Sequence, residues 1–539
     1  MNAAASNVSA LDGGRSERVR LAFQLTALAI AALVISGFTV LRRIDGLDEG
    51  VMLQAVERIV AGQVPYRDFL WPYGPTQPYL LTLFHAIDGP SLLDWRLVRV
   101  AGDCAISITA FLLVRSWAGT RWALAAWLVA ILSVSEPASA NPFSFAVLAS
   151  LLALAAASTV VRAENPLRRA AVAGLLCGLA ASWRPDAGFF AMIAVTAALL
   201  AAEPVDRLKR VAVSILGGAL TVTVVYLPFA AASSPAGLYD ALVGKALRDA
   251  QAWRLPFVWI SDLPVRSSSV GSFASDLNDV LADQVPLLLL IALATAALLI
   301  AVTWRDNQAS RPLATGLFVL GLGYAYYMVS RPDAHHLQPL AVVVATLAPL
   351  LVGVWWRGGV RSRSLTALAL CLMACWGLVG VEAFGDRLSA LFRPPALERV
   401  DLVVADGVRA TPREARSLPV IAAAVQRLTK PGQPIFVMPA PANPLRVTAP
   451  VLYVLTQRPN PRSADLELEQ LPAVQRQTVE VLGRTKPRVV IRWTDLQPDW
   501  VGPELPAISN KSELVDRYID RQYRREIVSG PYEVLVLRR

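Results

Sequence analysis

The chain is poor in charged residues, since Asp, Glu, Lys and Arg make up only 17% of its 539 positions. A soluble globular protein usually carries about 25% charge. Apolar residues reach 55% with a mean hydropathy of +0.47. They gather in runs of roughly 18 residues or more, which is the length of a membrane span. This composition argues against an ordinary soluble protein and predicts an integral membrane protein with many spans.

Cysteine is equally scarce, with four residues in the whole chain. All four lie in apolar runs, where cysteine behaves as a small hydrophobic side chain. Cys371 and Cys375 share a helix face, but no histidine or carboxylate joins them at the spacing of metal ligands. The sequence therefore predicts neither a disulfide framework nor a cysteine metal site.

Phosphate-binding loops of the GxGxxG or GxxxxGK[ST] type are missing, which argues against an ATP-driven pump. A net charge of +10 is also found in proteins that bind nucleic acid. However, much of the Arg and Lys lies in short clusters beside apolar runs, and that placement is typical of topology signals under the positive-inside rule. We expect no nucleic-acid partner.

Hydropathy predicts about eleven spans. They are 21–41, 96–116, 122–135, 143–161, 169–184, 186–202, 211–232, 285–304, 312–330, 337–356 and 364–384. The first run exceeds the apolar core of a signal peptide, and no small-residue cleavage site follows it, so we interpret it as a retained anchor. Arg15, Arg18 and Arg20 precede it and predict a cytoplasmic N-terminus.

The remaining basic clusters all fall on the cytoplasmic side if the stretch Tyr79–Ile87 does not cross the membrane. That stretch is too short for a comfortable span, and Pro75 and Pro78 open it, so we predict an interfacial or re-entrant helix. The loops 42–95 and 233–286 and the tail then lie outside. Long loops of this kind are uncommon unless they build a site.

Three regions follow from these patterns. They are a cytoplasmic tail (1–20), a transmembrane domain with two large external loops (21–384) and an external, periplasmic domain (385–539). In the last region, helical patterns at 414–429, 466–484 and 510–524 alternate with strand-like runs at Ile435–Met438, Arg488–Arg492 and Tyr532–Leu537. This alternation predicts a small soluble α/β unit.

The first external loop carries three acids within five residues, Asp45, Asp48 and Glu49, at the membrane surface. A carboxylate there can act as a general base if it reaches a hydroxyl group. The alternative is that Asp48 and Glu49 simply begin a helix, where negative charge suits the dipole. Farther along, Glu136 lies in another short external loop, where it can meet the first loop or remain a solvated acid.

Two further groups combine cations with acids at span ends. Arg184-Pro185-Asp186 is either a functional site facing a cavity or a simple ion pair that caps two helices. Ser330–His336 holds Arg331, His335 and His336, and arginine beside histidine suits a lipid phosphate better than adjacent histidines suit a metal.

These residues together resemble the GT-C superfamily of membrane glycosyltransferases. Its members include protein O-mannosyltransferases, the lipid A aminoarabinose transferase and actinobacterial cell-wall glycosyltransferases. The resemblance covers roughly the first 385 residues, and Asp48-Glu49 after the first span is its most specific feature. The other matching motifs are the surface helix that follows, Tyr73–Pro78, Trp95-Arg96-Leu97, Arg184-Pro185-Asp186, the loop after the seventh span and Arg331–His336.

The resemblance implies a sugar donor linked to a polyprenyl phosphate and a cell-wall glycan, lipid or protein as acceptor. Asp48, with Glu49 beside it, would act as the base, and the anomeric carbon would be attacked with inversion. Cations would stabilise the departing lipid phosphate. The implied donor-phosphate residues are Arg184, Arg331, His335 and His336, and the acceptor-binding or supporting residues are Asp45, Arg67, Tyr73, Arg96, Glu136 and Asp186.

The sequence also departs from the pattern of some relatives. The Tyr73–Pro78 stretch lacks a lysine near its prolines, which argues against aminoarabinose chemistry. Glu136 stands alone where other members carry an acidic pair, so no cofactor is certain and dependence on a divalent metal such as Mg or Mn stays open. Ala- and Arg-rich usage and the lack of an organelle signal favour a bacterial inner membrane. The alternatives are a transporter or flippase of a lipid-linked saccharide and a non-catalytic protein that binds envelope glycan.

Overall fold

The computed structural model describes residues 2–134, 143–202, 205–255, 257, 270–306, 308–358, 362–392, 394–439, 448–494 and 514–538. Helices make up most of the described chain as far as Phe392. They are α1 (Asn2–Gly37), α2 (Asp48–Val60), α3 (Thr76–Asp88), α4 (Leu92–Ala118), α5 (Thr120–Val134), α6 (Phe143–Ser158), α7 (Pro166–Trp183), α8 (Pro185–Ala201), α9 (Arg207–Ser233), α10 (Pro235–Tyr239), α11 (Lys245–Asp249), α12 (Val270–Val302), α13 (Arg311–Ser330), α14 (Ala334–Gly358) and α15 (Arg363–Phe392).

The predicted helical membrane architecture is confirmed, and each of the predicted spans coincides with one of these helices. Among the described residues, seven helices are long and apolar enough to cross a membrane. They are α1, α4, α9 and α12–α15, and α5, α6 and α8 are shorter apolar helices. The first predicted span runs too far, because the helix ends at Gly37 and the residues up to Leu41 form turns.

Helices α2 and α3 follow the first span and differ from the spanning helices in length. Each has 13 residues, or about 20 Å of helix, which is short of the roughly 30 Å apolar core of a bilayer. Helix α3 exposes Leu83 and Ile87 on one side. This geometry suits a helix that lies at the membrane surface without crossing, as the sequence predicts for Tyr79–Ile87.

The tail forms a small α/β unit, which also confirms the prediction. Its helices are α16 (Pro412–Leu428), α17 (Val451–Thr456), α18 (Pro472–Thr485) and α19 (Leu514–Gln522), and its strands are β1 (Glu398–Arg399), β2 (Arg409–Ala410), β3 (Phe436–Val437), β4 (Val489–Trp493), β5 (Tyr523–Ser529) and β6 (Tyr532–Leu537). The larger sheet has the order β3-β4-β6-β5, with β3 parallel to β4 and the other pairs antiparallel.

Two predicted helix boundaries in the tail are wrong. The helix predicted over 466–484 begins only at Pro472, a residue that suits the first helical turn because its missing N–H would have no partner there. The helix predicted over 510–524 ends at Gln522, since Tyr523 and Arg524 already pair with β6. Antiparallel pairing with β6 therefore takes over from a helical pattern that continues along the sequence.

The tail packs directly on the segment that contains α2. The Arg58 Nε of α2 donates to Asp465 Oδ2 at 2.7 Å, and both side chains are buried. The backbone N–H of Leu70 donates to the carbonyl of Ser463 at 2.7 Å. Apolar residues of both parts, including Met52 and Tyr453, share one core. The start of α2, where Asp48 lies, is thus held between the membrane domain and the tail.

Candidate active site

The start of α2 is built by Asp45. Its Oδ1 accepts hydrogen bonds from the backbone N–H groups of Leu47 and Asp48, each at 2.9 Å. A short acidic side chain that binds amides two and three residues ahead stabilises a helix start, because those amides have no partner within the helix. Asp48 and Glu49 then occupy the first turn of α2, where negative charge is favoured by the helix dipole.

Glu49 points away from solvent and pairs with Arg96 of α4. Arg96 Nε donates to Glu49 Oε1 at 2.6 Å and Nη2 donates to Oε2 at 2.9 Å, with both side chains fully buried. The same guanidinium donates to the carbonyls of Val40 and Arg43, each at 2.7 Å. Arg96 therefore joins the end of the first span to the start of α2, and Glu49 has no free face for chemistry.

Asp48 takes a different direction and meets a histidine from the far half of the chain. Ligand-type atoms of Asp45, Asp48 and His335 all lie within 4.8 Å of one another, and the three residues are half-buried. Burial, with repulsion from Asp48 and Glu49, raises the pKa of Asp45 to about 7, although His335 opposes the shift. The cluster thus combines two carboxylates and one imidazole, a donor set that fits a divalent cation.

Arg331 and the two adjacent histidines are organised by Asp333. Asp333 Oδ2 accepts from Arg331 Nε at 2.6 Å, and its Oδ1 lies 2.6 Å from His336 Nδ1. Oδ1 also accepts from the backbone N–H groups of His335 and His336 at the start of α14. Although burial opposes it, the attraction of His336 and Arg331 holds the pKa of Asp333 well below its usual range. Asp333 is therefore a fixed anion that orients the Arg331 guanidinium and the His336 ring.

Arg184 lies where α7 ends and α8 begins, and three aromatic rings surround its guanidinium. The distances from Cζ to the ring centroids are 3.7 Å for Phe143, 5.0 Å for Tyr327 and 5.1 Å for Tyr73. Arg184 also donates twice to Asp186, at 3.0 and 2.7 Å. The ion pair predicted as one reading of Arg184-Pro185-Asp186 is therefore present, and it lies inside an aromatic enclosure.

Tyr73 connects the acidic and cationic groups. Burial raises its pKa to about 12, a shift opposed by Arg184 and Arg331 and reinforced by Asp48. The loop holds this position because the Gly74 N–H donates to the Trp183 carbonyl at 2.9 Å. A Cβ at Gly74 would lie 1.9 Å from the carbonyl oxygen of Ser182, so only glycine permits the approach.

The structure does not bring every predicted residue to this place. Arg67 is exposed and directs its guanidinium to the neighbouring Asp68 at 2.9 and 2.7 Å. Glu136 lies outside the described residues. Arg96 supports the site indirectly, by holding Glu49. The site itself consists of the cluster of Asp45, Asp48 and His335 together with Tyr73 and Arg331, on which the charge of Asp48 acts.

Several residues of the site are not singled out by the sequence. Phe143, Tyr327 and Trp253 supply rings around the two arginines, with Trp253 5.4 Å from Arg331 Cζ. Elsewhere in α4, Arg99 and Asp103 form a second buried pair, at 3.8 Å. The aromatics carry no sequence signal, but two opposite charges four residues apart within an apolar run are a signal that could have been read.

The fold is shared with solved membrane enzymes, although no protein-family model and no curated protein sequence matches the chain. The crystal structure of ArnT from Cupriavidus metallidurans bound to undecaprenyl phosphate aligns with a TM-score of 0.55 at 13% identity, over 96% of this chain and 97% of that one. The archaeal oligosaccharyltransferase AglB from Archaeoglobus fulgidus, in complex with an inhibitory peptide and a dolichol-phosphate, aligns with a TM-score of 0.54 at 11% identity, over 95% and 74%.

A further structure of the Archaeoglobus fulgidus oligosaccharyltransferase, in complex with Zn and sulfate, gives a TM-score of 0.52 at 13% identity, over 86% of this chain and 68% of that one. At these identities the likeness establishes the fold. The chain therefore has the fold of the GT-C membrane glycosyltransferases, as the resemblance predicts.

Proposed function

We propose that the protein transfers a sugar from a polyprenyl-phosphate donor to an acceptor hydroxyl group, with inversion at the anomeric carbon. The observation that carries the proposal is the proximity of Asp48 to Arg331 and His335. A carboxylate oxygen of Asp48 lies within 4.8 Å of an imidazole nitrogen of His335, and the negative charge of Asp48 acts on Arg331. Such a site offers a proton acceptor and, beside it, fixed positive charge for a leaving phosphate.

The acidic side of the site is the source of the base. Asp48 is held at the start of a helix whose position is fixed by the Glu49–Arg96 pair and by the Asp45 cap. A base positioned in this way can take the proton of an acceptor hydroxyl group as the oxygen attacks the sugar. Glu49 positions the helix, and Asp45 is the alternative base because its raised pKa lies near neutral pH.

The cationic side of the site suits a phosphate. The Arg331 side chain donates one hydrogen bond within the described part of the chain, from Nε to Asp333, and its two terminal nitrogens have no partner among the described residues. Arg184 directs Nε and Nη2 to Asp186. Nitrogens of both guanidinium groups can therefore bind phosphate oxygens, with His335 and His336 beside them. ArnT bound to undecaprenyl phosphate and AglB with dolichol-phosphate support a lipid phosphate as the ligand.

A divalent metal fits the same place. Asp45, Asp48 and His335 would hold it, and a bound cation would supply additional positive charge toward the phosphate. The neighbour in complex with Zn and sulfate supports this assignment. The chain's own arginines would still bind and orient the lipid phosphate.

We further propose a bacterial inner membrane location, with the N-terminus in the cytoplasm and the domain 385–539 outside. The basic clusters beside the spans support this orientation, and so does the 13-residue length of α3, which suits a helix that does not cross. The acceptor would then be a glycan, lipid or protein of the cell envelope. A phosphatase fused after Arg539 should be active and a fluorescent protein that folds only in the cytoplasm should be dark; the opposite pattern would reverse the assignment.

The test of the activity is a transfer assay with the purified full-length protein. Radiolabelled polyprenyl-phosphate sugars are offered with envelope extracts as acceptors, and labelled product is separated from donor. Sugar transfer that stops with Asp48→Asn supports the proposal. Donor that crosses a vesicle membrane without losing its sugar would indicate a transporter instead.

A further inference from the structure

The end of α9 farthest from the candidate site carries a buried arginine that forms no ion pair with another described residue. Arg210 is 6% exposed, and its Nε and Nη1 lie without hydrogen-bond partners among the described residues. One turn farther along, Ser214 Oγ is also fully buried and unpartnered within the described chain. Buried charges in proteins are normally paired, because leaving water without a partner is costly. This place therefore needs an anion.

Close packing of α9 on α7 explains why Arg210 is covered. The residues of α9 that are buried are Arg210, Ser214, Gly218 and Tyr226, which repeat at helical spacing on one face. A Cβ at Gly174 of α7 would lie 1.8 Å from the carbonyl oxygen of Ser214, so the two backbones touch at this level. The Cα–Cβ bonds of a helix tilt toward its N-terminus, which favours a path of the Arg210 side chain toward the start of α9.

The start of α9 adds further positive potential. Asp206 occupies the N-cap position but makes no side-chain cap bond, and its carboxylate pairs instead with Lys209 Nζ at 3.0 Å. The amides of the first turn are therefore left uncapped by a side chain, and an uncapped helix start attracts anions.

We propose that Arg210, with the uncapped start of α9, binds the phosphate of an anionic phospholipid at this face of the membrane. Basic pockets between membrane helices are suited to anionic lipid headgroups, and apolar α9 residues such as Leu216 and Leu220 remain exposed for acyl chains. Tyr226, which donates to the Ala181 carbonyl near the candidate site, lies 16 positions farther along α9, or about 24 Å. The lipid site is thus separate from the proposed donor site.

The test measures phospholipid binding by the purified full-length protein. Phosphatidylglycerol or phosphatidylcholine is titrated into detergent micelles, and bound lipid is counted by native mass spectrometry. We expect the wild type to prefer phosphatidylglycerol. Arg210→Gln should weaken phosphatidylglycerol binding about tenfold or more, as expected for loss of a charge-assisted contact to phosphate. Arg168→Gln is the matched control, because it removes an exposed charge nearby, and it should bind like the wild type.

Equal binding of the two lipids by the wild type, or equal loss in both variants, would overturn the proposal. If Arg210→Gln does not fold, Arg210→Lys replaces it: the charge stays but the planar fork is lost, so weaker phosphatidylglycerol binding supports the site and unchanged binding contradicts it. Inorganic phosphate is titrated separately. If phosphate raised the melting temperature as much as phosphatidylglycerol does, the ligand of this site would be a free anion and the lipid proposal would be wrong.

Discussion

The guanidinium of Arg96 binds the carboxylate of Glu49 through two hydrogen bonds of 2.6 and 2.9 Å, with both side chains fully buried. This pair separates the roles of two adjacent acids. Glu49 is turned inward and fixes the start of α2, whereas Asp48 is half-buried in the cluster with Asp45 and His335. Neighbours on a helix point about 100° apart, so one helix turn can supply both a support and a reacting group.

Removing one partner of this pair should destabilise the protein. Glu49→Gln leaves a buried guanidinium without its counter-ion, and loss of one member of a buried ion pair costs about 3–5 kcal/mol of unfolding free energy. The measurement is thermal unfolding in detergent. Asp68→Asn is the control, because it breaks an exposed pair with Arg67 that should contribute little to stability. Equal melting temperatures for the two variants would contradict a supporting role for Glu49.

Arg331 should contribute to use of the lipid donor. Arg331→Ala removes the terminal nitrogens proposed for the phosphate, and a charge-assisted contact of this kind is worth about 1.5–3 kcal/mol, or tenfold or more in rate. The measurement is kcat/KM for the polyprenyl-phosphate sugar. Arg67→Ala serves as the control, since Arg67 is exposed and paired with Asp68. A normal kcat/KM for the donor in Arg331→Ala would contradict phosphate binding by Arg331 and leave it only a structural role at the end of α13.

The membrane architecture could be predicted because each span carries its own signal in a continuous apolar run. The short α3 also agrees with the prediction of a helix that does not cross, which follows from its length and from Pro75 and Pro78. The tail boundaries were less predictable, since Tyr523 and Arg524 continue a helical pattern and change to a strand only because β6 lies beside them. Local periodicity does not predict which distant segments will pair as strands.

The candidate site could be predicted as a list but not as an arrangement. Motifs such as Asp48-Glu49 and Arg331–His336 indicate candidate functional residues. Their proximity, however, depends on where the fold places α2 and α14. Arg58 and Asp465 are 407 positions apart and pair within the shared core. No spacing rule reaches that far, so the contribution of the tail to holding α2 becomes visible only in the fold.

The contribution of Asp45 to the stability of the metal-free protein should become less favourable as pH rises through the range between its unfolded and folded pKa. Its pKa is raised from 3.8 to about 7 in the folded state, so the fold favours the protonated carboxyl. Below about pH 4 the Asp45 carboxyl is protonated in both the folded and the unfolded state. Between about pH 4 and pH 7 it is ionised only in the unfolded state, so the free energy of unfolding falls over this range. In EDTA, Asp45→Asn should therefore melt higher than the wild type at pH 8 and alike near pH 4. A constant difference across that range would contradict the shift.

Divalent cations should stabilise the wild type through the same cluster. Mn²⁺ bound by Asp45, Asp48 and His335 would raise the melting temperature, because a ligand that binds only the folded state shifts the unfolding equilibrium. His335→Ala should lose most of this gain. His85→Ala is the matched control, since His85 pairs with Glu57 elsewhere. An equal Mn²⁺ effect in both variants would place the cation outside this cluster.

The base at Asp48 is tested most directly by sugar transfer from a polyprenyl-phosphate donor with purified Asp48→Asn and Asp45→Asn. Each substitution keeps the side-chain shape and removes a proton acceptor, and in Asp45→Asn the side-chain amide oxygen can still accept from the backbone N–H groups at the start of α2. Loss of general-base catalysis should lower turnover by Asp48→Asn about a hundredfold or more, with the melting temperature little changed. Near-normal turnover by Asp48→Asn would contradict the account, and an inactive Asp45→Asn beside it would move the base to Asp45.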